Sequence, residues 1–149
     1  LRKRHKKRNQ KNHRLAADIY YHAAAFEREL VALGLSAEIV VVELYDAFTI
    51  NAVLFLEDLG FCRKGEGGPF VASGAIAPGG DLPVNTNGGG LSCVHPGMYG
   101  IFAVIEAVRQ LRGECGERQL AGLETALVHG NGGTLSSQST AILGLDSAL

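Results

Sequence analysis

The sequence lacks the features that mark several large classes of protein. It has only three cysteines, Cys62, Cys93 and Cys115, and no Cys-x-x-Cys pair, which argues against a disulfide framework and against a zinc site. A reducing cytoplasm is therefore the default location. No apolar run reaches the roughly 18 residues that a membrane-spanning helix needs, and no apolar segment follows the basic start as in a signal peptide. We expect no metal and no membrane span.

What is present is a globular composition with one strongly biased end. Hydrophobic residues make up 46% of the 149 and charged residues 19%, which suits one domain with a real core. Residues 1–14 hold eight of the 14 Lys and Arg residues and no acidic residue, which predicts a solvated arm ahead of a domain over 15–149. A linker, cloning remnant or mis-framed end is favoured over a nucleic-acid-binding arm. The start at Leu1 rather than Met also predicts a fragment.

Hydrophobic periodicity predicts helices that alternate with strands. Two segments that are apolar nearly all round indicate buried helices, the first with Asp46 as its N-cap and Gly60 just after its end. Residues 62–90 are long for a plain loop, so short strands are expected near Ile76 and Leu82-Pro83-Val84. The predicted elements are helices over 15–33, 47–59 and 97–111, and strands over 39–42, 125–128 and 140–143. Their order predicts an α/β domain with a layered, mixed β-sheet.

Two candidate loops follow predicted strands, where open α/β sheets bind ligands. Tyr45 lies at a strand-to-helix corner, where packing is the more common role of a tyrosine. His129-Gly130-Asn131-Gly132-Gly133 is predicted to be a loop between the last two strands. Its signal is weak by itself, because no Gly-Lys-Ser/Thr follows as in a phosphate-binding loop.

A third candidate loop is Asn85-Thr86-Asn87-Gly88-Gly89-Gly90, where consecutive glycines would let backbone N–H groups face a ligand closely. His95 follows, directly before Pro96 and a predicted helix start. The positive end of a helix favours a neutral imidazole, which can act as a base or a donor near pH 7. A His that merely caps the helix is an equal alternative.

Together, the three loops resemble the C-terminal active-site motifs of the thiolase superfamily. The segment Tyr45-Asp46-Ala47-Phe48 stands at the Asn-Glu-Ala-Phe motif, and Gly88-Gly89-Gly90 through His95-Pro96-Gly97-Met98-Tyr99-Gly100 stands at the Gly-Gly…Gly-His-Pro-x-Gly-x-x-Gly motif. The segment starting at His129 stands at the Cys-x-Gly-Gly-Gly motif. The resemblance runs from about residue 39 to 145 and implies the C-terminal half of an α/β fold built from two similar halves.

The resemblance implies a coenzyme A thioester as substrate, with no bound cofactor. It implies that His95 is catalytic, that the nucleophilic Cys belongs to an N-terminal half absent here, and that this chain alone is inactive. The implied substrate-binding residues are those of the two glycine-rich loops: Asn87, Gly89, Gly90, Asn131, Gly132 and Gly133. A homodimer and a small OB-fold, zinc-ribbon-type partner protein are also implied, whereas nucleic acid is not an expected partner.

Two departures from the thiolase pattern point to the lipid-transfer-protein or sterol-carrier branch. His129 replaces the second thiolase Cys, and Tyr45 replaces the first residue of the Asn-Glu-Ala-Phe motif. That branch includes aldolases that cleave steroid side-chain CoA thioesters with tyrosines as proton carriers, which makes Tyr45, Tyr99, His95 and His129 the candidate catalytic residues. The leading hypothesis is retro-aldol cleavage of a β-hydroxyacyl-CoA. The alternatives are a thiolase-type acyltransferase and a non-catalytic acyl-CoA-binding fragment.

Overall fold

The computed structural model describes residues 41–93, 97–133 and 135–146. The basic arm, the predicted helix over 15–33 and His95 lie outside the described residues. Within them the order of elements is β1 (Val41–Leu44), α1 (Thr49–Asp58), α2 (Gly67–Ala72), α3 (Gly89–Ser92), α4 (Tyr99–Leu111), a 3₁₀ turn (Gly116–Arg118), β2 (Thr125–Gly132) and β3 (Ser137–Gly144).

The three described strands form one mixed sheet in the order β1-β2-β3. β1 runs parallel to β2, with Val41 beside Ala126 and Leu44 beside His129, and β2 runs antiparallel to β3. Val41 and Val42 are fully buried, as expected for a parallel strand that is covered on both faces. The predicted α/β fold with a mixed sheet and a buried first strand is confirmed.

Each face of the sheet has its own core, because successive side chains of a strand point to opposite faces. On the α4 face, Val41 and Tyr45 pack with Ala103 and Ala107, whose small side chains one helical turn apart let α4 lie close to the sheet. On the α1 face, residues Val42, Leu44, Phe55, Leu56 and Leu127 pack together. The helices therefore hold the sheet from both sides.

The glycine- and proline-rich segment after α1 extends the sheet edge at one point. Val42 donates its backbone N–H to Pro83 O at 3.1 Å, and Asn85 donates to Val42 O at 2.9 Å, around a parallel bridge between Val42 and Val84. The side-chain oxygen of Asn85 then accepts from the backbone N–H of Leu44 at 2.7 Å. Of the short strands expected near Ile76 and Leu82-Pro83-Val84, neither forms: Ile76 lies in a turn, and Val84 makes a single bridge, which ties the glycine-rich loop to β1.

Local chain signals located the end of α1 correctly and its start incorrectly. Gly60 (φ 85°) donates to Glu57 O and Phe61 donates to Leu56 O, which is the Schellman closure expected of a terminal glycine. Asp46, however, is not the N-cap, because the helix begins after Phe48 and no side chain caps it. The carboxylate of Asp46 binds a different segment, as described below.

The prediction that α1 and α4 are buried all round is wrong for the described residues. Phe48 and Ile50 near the start of α1 are 69% and 56% exposed, and Ile101, Phe102 and Ile105 of α4 are 55%, 46% and 45% exposed. Apolar composition indicates which side chains gain from burial, but a helix that lies on a sheet presents only one face to it. No helix in the described ranges is long and apolar enough to cross a bilayer.

The segment from His129 to Gly132 is strand rather than loop. Gly130 and Gly132 pair in register with Ser139 and Ser137, and the turn lies after Gly132. Glycine-rich sequence is typical of turns, but extended backbone is open to glycine when a partner strand supplies the hydrogen bonds.

Candidate functional site

The topology brings two of the three predicted loops to one edge of the sheet. β1 and β2 are parallel neighbours, so their carboxyl ends meet, and Tyr45 donates its backbone N–H to His129 O at 2.9 Å. The third segment, Asn85 to Gly90, reaches the same edge through its bridge to β1. This is the edge at which open α/β sheets hold ligands.

An open pocket of about 600 Å³ lies at this edge. One wall is the start of α4, and the other is the β2–β3 hairpin with its hydroxyl and amide side chains. The described residues that line it are Tyr45, Gly97, Met98, Gly100, Ile101, Gly130, Asn131, Gly132, Ser137, Gln138 and Ser139. All of them are uncharged, so the pocket suits an apolar group that carries neutral polar substituents.

The two candidate tyrosines are in contact, Tyr45 as part of the pocket lining and Tyr99 behind it. The ring of Tyr45 meets the ring of Tyr99 edge-on, with centroids 5.8 Å apart and planes at 77°. The hydroxyl of Tyr99 donates to Asn87 Oδ1 at 2.9 Å, and Tyr99 is 4% exposed. Burial raises the pKa of Tyr99 to about 12, although the hydrogen bond to Asn87 lowers it. Tyr99 therefore carries its proton near neutral pH and is placed as a donor.

The backbone N–H groups of the glycine loop are engaged within the chain. Gly89 donates to Asn87 Oδ1 at 2.8 Å, and Gly90 donates to Asp46 Oδ1 at 2.7 Å. Asp46 Oδ2 also accepts from the backbone N–H of Leu91 at 3.3 Å. In this structure the N–H groups of Gly89 and Gly90 thus face Asn87 and Asp46 rather than the pocket, so a substrate-binding role for these glycines stays a prediction.

His129 lies on the α1 face of the sheet, opposite to Tyr45. Its ring meets the ring of Phe55 at 4.5 Å between centroids, and the residue is 5% exposed. Nδ1 is 2.8 Å from Thr140 Oγ1, and Nε2 is 3.0 Å from Gln138 Oε1. Burial lowers the pKa of His129 and outweighs the hydrogen bond to Gln138, so the ring is neutral near pH 7. It reaches the pocket only through Gln138, and its catalytic role remains a prediction.

The other predicted residues divide between the pocket and its rim. Asn131 and Gly132 line the pocket, whereas Gly133 lies in the turn beyond it with φ 58°. The Oδ1 atom of Asn131 is buried and has no hydrogen-bond partner among the described residues. His95, the candidate implied by the resemblance, lies outside the described residues.

Sequence reasoning missed the polar wall contributed by β3. Ser137, Gln138 and Ser139 line the pocket because they pair with the glycine segment of β2. Their run of small polar residues resembles an ordinary turn, and only the antiparallel register shows which residues they oppose. A hairpin prediction that extended both strands through the glycines would have found them.

The chain is similar to known proteins of one superfamily. A model of the family described as thiolase C-terminal domain-like matches residues 21–145. An acetyl-CoA acetyltransferase of Methanothermobacter thermautotrophicus is 48% identical over 98 residues, 65% of this chain and 26% of that protein. A 17-hydroxy-3-oxo-4-pregnene-20-carboxyl-CoA lyase of Mycobacterium tuberculosis is 44% identical over 101 residues, 68% of this chain and 25% of that protein.

A solved structure is similar as well. The Ltp2-ChsH2(DUF35) aldolase matches with a TM-score of 0.63 and 38% identity, over 74% of this chain and 28% of that chain. The chain spans about a quarter of the length of these relatives.

Proposed function

We propose the function of this chain from one premise, that it belongs to the thiolase C-terminal domain-like family. The family that the sequence motifs predict is therefore confirmed. Within it, we propose that the chain forms the C-terminal part of an enzyme that cleaves a β-hydroxyacyl-CoA by a retro-aldol reaction. The observation that carries this proposal is the buried pair of tyrosines, with Tyr45 on the pocket wall and the hydroxyl of Tyr99 held by Asn87. The names of two relatives, a lyase and an aldolase, support it.

The proposed reaction needs one base and one proton donor. The base removes the proton of the β-hydroxyl, the bond between Cα and Cβ breaks, and Cβ becomes the carbonyl of a released ketone or aldehyde. The electron pair passes to Cα and the thioester oxygen as an enolate, which is then protonated at Cα. We assign the donor to Tyr99, whose pKa of about 12 keeps the proton on the phenol; to act on a substrate, its hydroxyl must leave Asn87 Oδ1. Tyr45, on the pocket wall, is left as the base.

Tyrosine is a weak base, so the role of Tyr45 sets a condition on the site. A phenol can accept the proton of the β-hydroxyl only as its phenolate, or if it passes its own proton on as the new one arrives. The proposal therefore requires that the phenol proton leave Tyr45 before or during cleavage. The N–H groups of Gly89 and Gly90 are engaged elsewhere, so we assign the enolate oxygen to His95, as the resemblance implies.

The activity is assigned to the whole protein of which this chain supplies about a quarter, judged by its relatives. We propose that the chain alone is inactive and that the active form is a dimer. We also propose a small OB-fold, zinc-ribbon-type partner, because the similar aldolase, Ltp2-ChsH2(DUF35), is named for two proteins.

A second candidate is acyl transfer of the thiolase kind. It is favoured by the 48% identity to an acetyl-CoA acetyltransferase, which exceeds the identity to the lyase. It would require a nucleophilic Cys outside this chain. A Cys at that position in the whole protein would support transfer, and its absence would support aldol cleavage.

The deciding experiment is a retro-aldol assay on the whole protein with its partner, comparing wild type with Tyr45→Phe and Tyr99→Phe. We expect Tyr45→Phe to lower kcat by about 100-fold or more with KM little changed, the usual effect of losing a general base. Tyr21→Phe, at a tyrosine outside the three motifs, is the matched control. Full activity in both site variants, or acyl transfer to CoA as the only reaction, would exclude the aldolase proposal.

A further inference from the structure

One buried carboxyl near the tyrosine pair has no part in the proposed reaction. Glu43 lies in β1, two residues before Tyr45, and is 0% exposed. Its Oε1 accepts from the backbone N–H of Thr86 at 3.2 Å, while its Oε2 is buried and has no partner among the described residues. A buried, unpartnered oxygen is far more costly on a charged carboxylate than on a neutral acid.

The hydroxyl of Thr86 shows that a proton is held in this cluster. Thr86 Oγ1 lies 2.9 Å from Glu43 Oε1 and also 2.9 Å from Glu106 Oε1, and Gln110 Nε2 donates to it at 3.1 Å. A hydroxyl has a single hydrogen, so it can donate to only one of the two carboxyl oxygens. If both acids were ionised, the other contact would join two oxygens with no proton between them. One of the two acids is therefore protonated.

The surrounding charges place that proton on Glu43. Arg118 donates from Nε to Glu106 Oε1 at 2.8 Å and from an Nη to Oε2 at 3.0 Å, so Glu106 is the ionised acid. Burial, together with the negative charges of Glu106 and Asp46, raises the pKa of Glu43 to about 7, although the hydrogen bonds with Thr86 lower it. Among the described residues, Tyr99 of α4 and Arg118 are further titratable groups that interact with Glu43.

The same cluster is joined to the tyrosine pair through one loop segment. Thr86 is followed by Asn87, whose Oδ1 accepts from both the Tyr99 hydroxyl and the Gly89 N–H. We propose that Glu43 is a positioning residue that acts in its protonated form: by donating to Thr86 it holds the Thr86–Asn87 segment, and through Asn87 the hydroxyl of Tyr99, in the arrangement of the site. Its meaning for catalysis rests on the proposed function.

Loss of the proton would undo this arrangement. An ionised Glu43 and the ionised Glu106 would then compete for the single hydroxyl hydrogen of Thr86. One of the two 2.9 Å contacts would become repulsive, and the Thr86–Asn87 segment would move. The hydrogen bond between Tyr99 and Asn87 would then lengthen or break, so the environment of the Tyr99 phenol would change with the ionisation of Glu43.

The test is an NMR titration of the purified protein labelled with ¹³C at the glutamate carboxyl and the tyrosine Cζ. We expect one carboxyl with a midpoint near pH 7, assigned by its loss in Glu43→Gln, and a Tyr99 signal, assigned by its loss in Tyr99→Phe, that shifts with the same midpoint. In Glu43→Gln, whose side chain cannot ionise, the Tyr99 signal should stay constant from about pH 6 to 8. Glu57→Gln, at a glutamate outside the cluster, should leave both wild-type transitions in place.

Two results would overturn the proposal. One is a Glu43 carboxyl that titrates near its ordinary 4.5, and the other is a Tyr99 signal that does not follow Glu43. If Glu43→Gln does not fold, Thr86→Val serves as the second variant, and there the Tyr99 signal should no longer follow any carboxyl. None of these signals depends on turnover. Failure of the aldolase assay would therefore leave this inference standing, and a flat Tyr99 signal in an active enzyme would reject it alone.

Discussion

The contact between Gly89 and Asp46 predicts a large and specific loss of stability when a methyl group is added to Gly89. Its φ of +69° is one that side-chain-bearing residues rarely adopt. A Cβ there would lie within contact distance of Asp46 Oδ2, and only 2.8 Å from Asn85 Nδ2 and 2.9 Å from Asp46 Cγ. Alanine at this position must therefore displace the carboxylate that holds the loop.

The magnitude follows from two separate terms. Backbone strain at such a φ costs about 1–2 kcal/mol. Displacing Asp46 weakens its hydrogen bonds from the N–H groups of Gly90 and Leu91, and a bond to a charged group contributes about 1.5–3 kcal/mol. We expect Gly89→Ala to lower the free energy of unfolding by about 4 kcal/mol.

Gly122 is the matched control, because it has the same φ of +69° and no atom within 4 Å of its Cβ position. Gly122→Ala should cost only the strain, about 1–2 kcal/mol. Urea denaturation of wild type and both variants measures the difference as a shift in midpoint at constant slope. With Asp46→Ala as background, Gly89→Ala should cost less than in the wild-type chain, because only the strain and the contact with Asn85 Nδ2 remain. Equal losses in the two single variants would refute the proposed contact.

Two further predictions concern buried titratable groups. Burial lowers the pKa of His129 below 6.5, so the neutral ring stabilises the fold above that pH, and this stability is lost as the pH falls below 6.5. Glu43 has the opposite effect on stability, because its raised pKa favours folding at lower pH, so the test compares the thermal midpoints of wild type and His129→Gln at each pH. A difference between these midpoints that does not change with pH would contradict the prediction. Arg118→Met should lower the free energy of unfolding by about 2 kcal/mol, because it leaves the Glu106 carboxylate without its ion pair. The loss is smaller than for a fully buried pair, because the Arg118 side chain is 40% exposed. Adding Glu106→Gln to Arg118→Met should restore most of the lost stability, as measured by urea denaturation.

The sequence allowed correct prediction wherever the deciding interactions are local. The strand at Val41–Leu44 follows from a β-branched run, and the end of α1 follows from Gly60, whose positive φ closes the last turn. The family, and with it the approach of the three motifs, follows from their order and spacing.

What could not be predicted depends on a single step of register or on distant partners. Asp46 precedes a helix and has the chemistry of an N-cap, yet its oxygens bind Gly90 and Leu91, more than 40 residues away. His129 belongs to the predicted motif, but strand alternation turns its ring to the face opposite Tyr45. The spacing of the motifs in the sequence predicts which residues lie near one edge of the sheet. Only the strand register shows to which face of the sheet each side chain points.

The charges near the site explain why neutral groups line the pocket. Asp46 is bound by two backbone N–H groups and Glu106 by Arg118, so both carboxylates are already compensated. The polar side chains that line the pocket are those of Tyr45, Asn131, Ser137, Gln138 and Ser139, with a neutral His129 behind Gln138. Among the described residues, such a site offers a ligand hydrogen bonds and proton transfer but no fixed charge.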